Sequence, residues 1–174
     1  MAKEIERKFL VRHEGWRAEA GPGVAMRQGY LAAMDDRTVR IRLIDDESAR
    51  LTIKIGTGML TRDEFEYDVP LDDGEELIAS AIGTVIAKTR YRVPGGTHVW
   101  EVDVFEEPYA GLIVAEVEMR TETDDPVLPD WIGEEVTDDR RYSNFALATQ
   151  EDKQRPDLQA DTRREEQERS WPTD

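Results

Sequence analysis

The sequence predicts a mainly β fold: eight short antiparallel strands, interrupted by one helix, that close into a barrel or pack as a sandwich. Two observations predict it. Apolar and charged residues alternate with a period of two in one segment after another, from Glu4-Ile5-Glu6-Arg7-Lys8-Phe9 to Val114-Ala115-Glu116-Val117-Glu118. That period is the mark of strands whose successive side chains point to opposite faces. Most of these segments are joined by brief turns rich in Gly, Pro and Asp.

The first strand spans residues 4–11, with Glu4, Glu6 and Lys8 on one face and Ile5, Arg7 and Phe9 on the other. Residues 12–23 read as a loop with a short helix over 16–20, ended by Gly21-Pro22-Gly23. Strands follow at 26–31, 38–43, 50–55 and 62–69, the middle two joined by the hairpin loop Asp45-Asp46-Glu47-Ser48. From Leu71 the period changes: Leu77, Ile78, Ala81, Ile82 and Val85 follow helical spacing, and Asp73 with Glu76 fits a capping box. Three further strands are expected at 87–93, 98–105 and 112–119, then a Pro-rich loop over 124–136 and a second helix beginning at 142–147. Residues 1–150 form one domain on this reading. Residues 151–174 are almost wholly polar and are expected to form a disordered tail.

Composition narrows the function classes. A chain of 174 residues holds one domain with a real core. It has no Cys, hence no disulfide, thiol nucleophile or Cys-zinc site, and its two His residues, His13 and His98, exclude a His-rich metal centre. The start lacks the apolar core of a signal peptide and no apolar run spans a membrane, so a soluble cytoplasmic protein is expected. A formal charge of −16 speaks against nucleic-acid binding.

What remains is where the charges sit. Collected by strand face they are Glu4, Glu6 and Lys8; Arg40 and Arg42; Lys54; Glu64 and Glu66; Lys88 and Arg90; Glu101 and Asp103; Glu116 and Glu118. A sheet with charges toward water gives the same pattern, and for a lone pair such as Arg40 and Arg42 that is the ordinary reading. Like charges at i and i+2 recur on several strands, however, where neighbours repel and a neutral face would cost less. Turned inward, these faces suit a polyphosphate chain and a divalent metal. Arginine forks fit phosphate oxygens and hard carboxylates hold Mg²⁺ or Mn²⁺.

Glu4-Ile5-Glu6-Arg7-Lys8 resembles the E-x-E-x-K signature of the CYTH superfamily, the triphosphate tunnel metalloenzymes. Arg40-Ile41-Arg42, Thr52-Ile53-Lys54, Glu64-Phe65-Glu66, Lys88-Thr89-Arg90-Tyr91 and Glu116-Val117-Glu118 follow in the family's order, as does the stretch from Val136-Thr137-Asp138 to Tyr142-Ser143-Asn144. The resemblance covers residues 2 to about 150 and implies an eight-stranded antiparallel β-tunnel with flanking helices. It assigns Lys8, Arg40, Arg42, Lys54, Lys88 and Arg90 to phosphate oxygens. Glu4, Glu6, Glu116 and Glu118 go to the metal, Mg²⁺ or Mn²⁺, with Asp103 at an outer metal water or orienting a basic side chain. Glu64 and Glu66 would hold a second metal or position water, and Lys88, partnered by Tyr30, would guide the attacking water. The implied activity is hydrolysis of inorganic tripolyphosphate to pyrophosphate and phosphate. A class IV adenylyl cyclase, a thiamine triphosphatase and a non-catalytic polyphosphate-binding module are the alternatives. The expected partner is a small-molecule triphosphate, with no nucleic acid and no membrane, and the chain is expected to be a monomer or a homodimer.

Overall fold

In the computed structural model, which describes residues 2–58 and 60–149, the alternating segments are strands. They are β1 (Ala2–Val11), β2 (Val24–Met34), β3 (Arg37–Ile44), β4 (Ser48–Ile55), β5 (Thr61–Val69), β6 (Ile82–Gly95), β7 (His98–Phe105), β8 (Ile113–Glu118) and β9 (Ile132–Glu135). Two helices, α1 (Leu71–Ala79) and α2 (Asn144–Thr149), and 3₁₀ turns at Glu14–Ala18 and Arg140–Tyr142 complete the chain. The pairing order is β5-β4-β3-β2-β6-β7-β8-β1-β9, and a further β5–β1 pairing closes the first eight strands into a ring. β1 is the seam. One edge of it carries β8 over Glu6–Leu10; the other carries β5 near Glu4 and β9 near Phe9.

The ring is built inside out relative to an ordinary barrel, because the alternation puts charge inward and leaves apolar side chains outside. The outer face must therefore be covered. Phe9, Trp100, Val102 and Val117 pack beneath Trp16 of the first 3₁₀ turn and Trp131 of the loop before β9. Phe9 and Trp131 both meet Trp100 edge to face, at ring-centroid distances of 5.5 and 5.7 Å. On the other side α1 lays Ile78 over Ile41, Leu43 and Ala49. It lies so close that a Cβ at Gly74 would stand 2.3 Å from the Ala49 Cβ.

The third apolar cluster lies inside the ring. Strand register puts Tyr30, Ile86, Phe105 and Val114 on the same face as the lumen charges, but toward one end. There they bury Leu147 and Ala148 of α2, with Leu10 and Phe145 packed against them. Helix α2 thus plugs part of one end of the ring.

Three expectations change. The segment 124–136 contains a ninth strand, β9, whose four residues are too few to show a period. Helix α1 ends at Ala79, so Ile82 and Val85 belong to β6, where both are exposed; a strand pleat and a helix turn had coincided over those positions. Asp73 and Glu76 lie within α1, whose N-cap is Pro70 with no side-chain capping bond, so there is no capping box. Among the described residues no helix is long and apolar enough to cross a membrane. The polar segment 151–174 lies outside the described residues.

Candidate active site

Antiparallel register gathers the charged faces. Residues opposite one another share a face, and the pairs are Glu6 with Glu118, Lys8 with Glu116, Lys54 with Glu64, Thr52 with Glu66, Arg90 with Asp103, and Gln28 with Arg42. All line one lumen. Its cations divide into two groups by what they touch.

The first group is paired. Lys8 Nζ lies 2.8 Å from Glu116 Oε1. Lys54 Nζ lies 2.5 Å from Glu4 and 2.9 Å from Glu64, the latter as an ion pair out of line for a hydrogen bond. Arg90 forks onto Asp103 with two bonds of 2.7 Å, reaches Glu116 at 2.7 Å and also meets Glu101. Lys88, with no exposed surface, donates to Asp103 Oδ2 at 2.5 Å and to Asn144 Oδ1 at 3.2 Å.

These pairings set the protonation states. Burial alone would neutralise Lys8, but Glu116 and Glu6 more than reverse it, so Lys8 stays charged. Burial opposes ionisation of Glu116 too, yet Lys8 and Arg90 hold it well below the usual carboxylate range. Lys88 goes the other way. Burial outweighs the attraction of Asp103 and brings its ammonium down to about 8.

The second group has no anion. Among the described residues neither Arg40 nor Arg42 makes an ion pair. Arg40 is buried, donates to Thr52 Oγ1 at 3.3 Å and leaves its Nε without a partner. Arg42 donates to Gln28 Oε1 at 3.3 Å, and burial, then the neighbouring Arg40 and Arg90, depress it to about 10. Two neighbouring guanidinium groups, one buried and one half-buried, without carboxylate partners are costly unless an anion joins them.

The open space of the lumen forms two chambers. The first, of about 860 Å³, is bordered by both carboxylates and cations, among them Glu4, Glu64, Glu116, Glu118, Arg42 and Arg90. The second, of about 750 Å³, opens beside α2 at the other end of β2 and β3, near Tyr30 and Thr38. Glu6, Arg40, Lys54 and Asn144 border both and so form the partition between them.

Register turns the expected residues toward the lumen, but Lys88 and Asp103 are buried in its wall and border neither chamber. Asp103 spends both oxygens on Lys88 and Arg90, which makes it an orienting group for those cations. Glu66 accepts from Thr52 at 3.1 Å and lies 3.4 Å from Arg50. Tyr30 packs edge-on against Phe145 at 5.1 Å and stands opposite Arg40, whereas Lys88 stands opposite Met26, farther back along β2. The direct neighbour of Lys88 is Asn144. Sequence reasoning missed Gln28, Thr52 and Arg62 as lumen groups. Gln28 follows Met26 at i+2 on β2, and alternation from Tyr30 points it inward, so a signal for it exists.

The donor set suits a hard divalent cation. Glu6 and Glu118 face each other across β1 and β8. Burial first, then nearby carboxylates (Glu116 for Glu6, Glu4 for Glu118), raises both acids. A carboxylate cluster resisting its own ionisation gains from a cation of high charge, and oxygen donors favour hard ions over softer ones. Among the described residues no three of these groups converge on one point, since the ammonium groups of Lys8 and Lys54 engage Glu116 and Glu4.

A closed antiparallel ring with arginines and glutamates turned inward defines a class of protein. The model of the CYTH domain matches residues 2–152, and the chain belongs to that family. It is similar to an inorganic triphosphatase of Acetivibrio thermocellus, 39% identical over 148 residues that cover 84% of this chain and 94% of the relative. An inorganic triphosphatase of Nitrosomonas europaea is 37% identical over 153 residues, 83% of this chain and 96% of the relative. Among solved structures, the inorganic triphosphatase NE1496 superposes with a TM-score of 0.60 at 35% identity, covering 85% of this chain and 95% of its own.

Proposed function

We propose that this chain is a metal-dependent inorganic triphosphatase that cleaves tripolyphosphate into pyrophosphate and orthophosphate inside the ring. The observation that carries this reading is the pair of arginines, Arg40 and Arg42, that make no ion pair among the described residues and stand beside a wall of carboxylates. Two relatives and a solved neighbour that share most of the chain's length bear that activity as their name.

Arg40, Arg42, Lys8, Lys54 and Arg90 bind the phosphate oxygens, the unpaired arginines first. Glu4, Glu6, Glu116 and Glu118 would hold Mg²⁺ or Mn²⁺, which when bound neutralises charge on the phosphate chain and polarises its oxygens. Glu64 and Glu66 lie on the same wall, opposite Lys54 and Thr52, as a second donor pair. Water adds its oxygen to a terminal phosphorus while the bridging P–O bond breaks, its electron pair leaving with pyrophosphate. One of the water's protons stays on orthophosphate and the other is released. Lys88, buried in the wall and held by Asp103 and by Asn144 of the partition, is the amine assigned to that proton, with Tyr30 on the border of the second chamber. The reading places the chain in the cytoplasm, as a monomer or homodimer.

The test is phosphate release from tripolyphosphate, ATP and thiamine triphosphate by the purified protein with Mg²⁺ or Mn²⁺. Tripolyphosphate should show the highest kcat/KM. Formation of cyclic AMP from ATP, with tripolyphosphate untouched, would replace the triphosphatase with a cyclase.

A further inference from the structure

The two chambers differ in charge. The first sets its cations among many carboxylates. The second presents Lys8, Arg37, Arg40, Lys54, Arg62 and Arg140, of which Arg37 is paired with Asp36, with only Glu6 and Asp35 among its described acids. Lys8 and Lys54 answer to carboxylates of the partition and of the first chamber. Arg40, Arg62 and Arg140 make no ion pair among the described residues, and Arg40 keeps a buried Nε with no acceptor. Around them stand the hydroxyl-bearing Ser143, Thr38 and Thr57 and the amide of Asn144, donors suited to a tetrahedral oxyanion. A space this rich in cations and this poor in carboxylates calls for an anion and has few ligands for a metal.

We infer that the second chamber is a metal-independent binding site for orthophosphate, the smaller product, and its way out of the ring. The inference rests on the triphosphatase reading and follows from in-line displacement. The leaving pyrophosphate belongs on the carboxylate side, where a metal would accompany it. Attacking water therefore approaches the partition from the opposite side. The phosphorus that water captures inverts toward that side, past Arg40 and Asn144, into the chamber that Arg62 and Arg140 border. Pyrophosphate returns through the first chamber. The two products leave by different mouths.

The test titrates inorganic phosphate into the full chain in excess EDTA, followed by calorimetry. Wild type should bind it, and Arg62→Ala with Arg140→Ala should weaken binding about tenfold or more, the scale of one to two lost charge-assisted bonds. Arg120→Ala, on the border of the first chamber, should change nothing. In turnover with Mg²⁺, inhibition by added phosphate should need correspondingly more phosphate in the double variant, while inhibition by pyrophosphate stays as in wild type. Absence of phosphate binding in EDTA, equal binding by the double variant, or an equal loss in Arg120→Ala would overturn the site. Failure to hydrolyse tripolyphosphate with metal-free binding intact would instead remove the triphosphatase reading and the product role, and leave the anion site standing.

Discussion

Arg40 and Lys88 are both buried lumen cations, yet their surroundings give them different work. Arg40 has no counter-ion among the described residues and is a proposed phosphate contact, so Arg40→Ala should raise KM on the order of tenfold and lower kcat less. Lys88 is already held by Asp103 and Asn144, so its removal should leave KM nearly unchanged and cut kcat by a factor on the order of 10². Steady-state kinetics of both variants separates the roles; an effect of Lys88→Ala on KM alone would take Lys88 out of the chemistry. The pH profile gives a second handle. With its ammonium lowered to about 8, Lys88 is charged below that pH and a free amine above it. Only the amine accepts a proton, so kcat should climb as pH rises through about 8. Lys88→Arg, charged at every working pH, should lose that climb.

At the scale of elements, α2 links packing to the site. Leu147 is buried among Phe105, Tyr109 and Val114, and the same helix begins with Asn144, which holds Lys88. Leu147→Ala should cost about 3 kcal/mol through the cavity it leaves. That lowers Tm by about 6–12 °C for a chain of this size. Loss of turnover beyond the loss of folded protein should follow, because the helix no longer fixes Asn144; calorimetry with single-turnover kinetics reads both. The strands themselves were legible in the sequence because period-two alternation is local and sets Glu64, Lys54 and Glu116 on the charged face, whereas turning that face inward took the recurrence of like charges and the family resemblance. The plug was not. Nothing local tells Phe105, on the lumen side of β7, that it will meet a helix and not a phosphate, since that depends on α2, far along the chain. The end of α1 was misplaced for a related reason: Ile82 and Val85 satisfy the helical spacing until the pairing of Tyr30 with Ile82 claims them for β6.

At the scale of the molecule, the proposed metal site makes a divalent ion a condition of turnover. Glu4, Glu6, Glu116 and Glu118 would repel a polyanion unless a divalent ion stands between them. Hydrolysis should cease in excess EDTA and return with Mg²⁺ or Mn²⁺, and Ca²⁺, larger and looser in coordination, should support it poorly. Glu6→Gln keeps the side chain's shape, so it should fold normally and require more metal for half-maximal rate. Full activity in EDTA would leave these carboxylates without that task. Residues 151–174 lie outside the motifs and have little apolar content. A chain ending at position 150 should therefore keep most of its turnover, and a folded but inactive truncate would assign the tail a part in the chemistry.

The seam at β1 also dictates a timetable. This strand is synthesised first, yet its partners β8 and β9 are among the last segments to be made. A chain growing from the ribosome carries β1 with one edge bare until β8, ending at residue 118, has emerged, and with the other edge covered only near Glu4, by β5, until β9 follows at residue 135. Closure of the ring thus joins the ends of the domain, the most distant contacts it contains, and such contacts form slowly. Until then Phe9 of β1 lacks the cluster of Trp100 and Trp131 in which it is buried. The nascent chain's exposure to self-association is greatest at its oldest strand, not its newest.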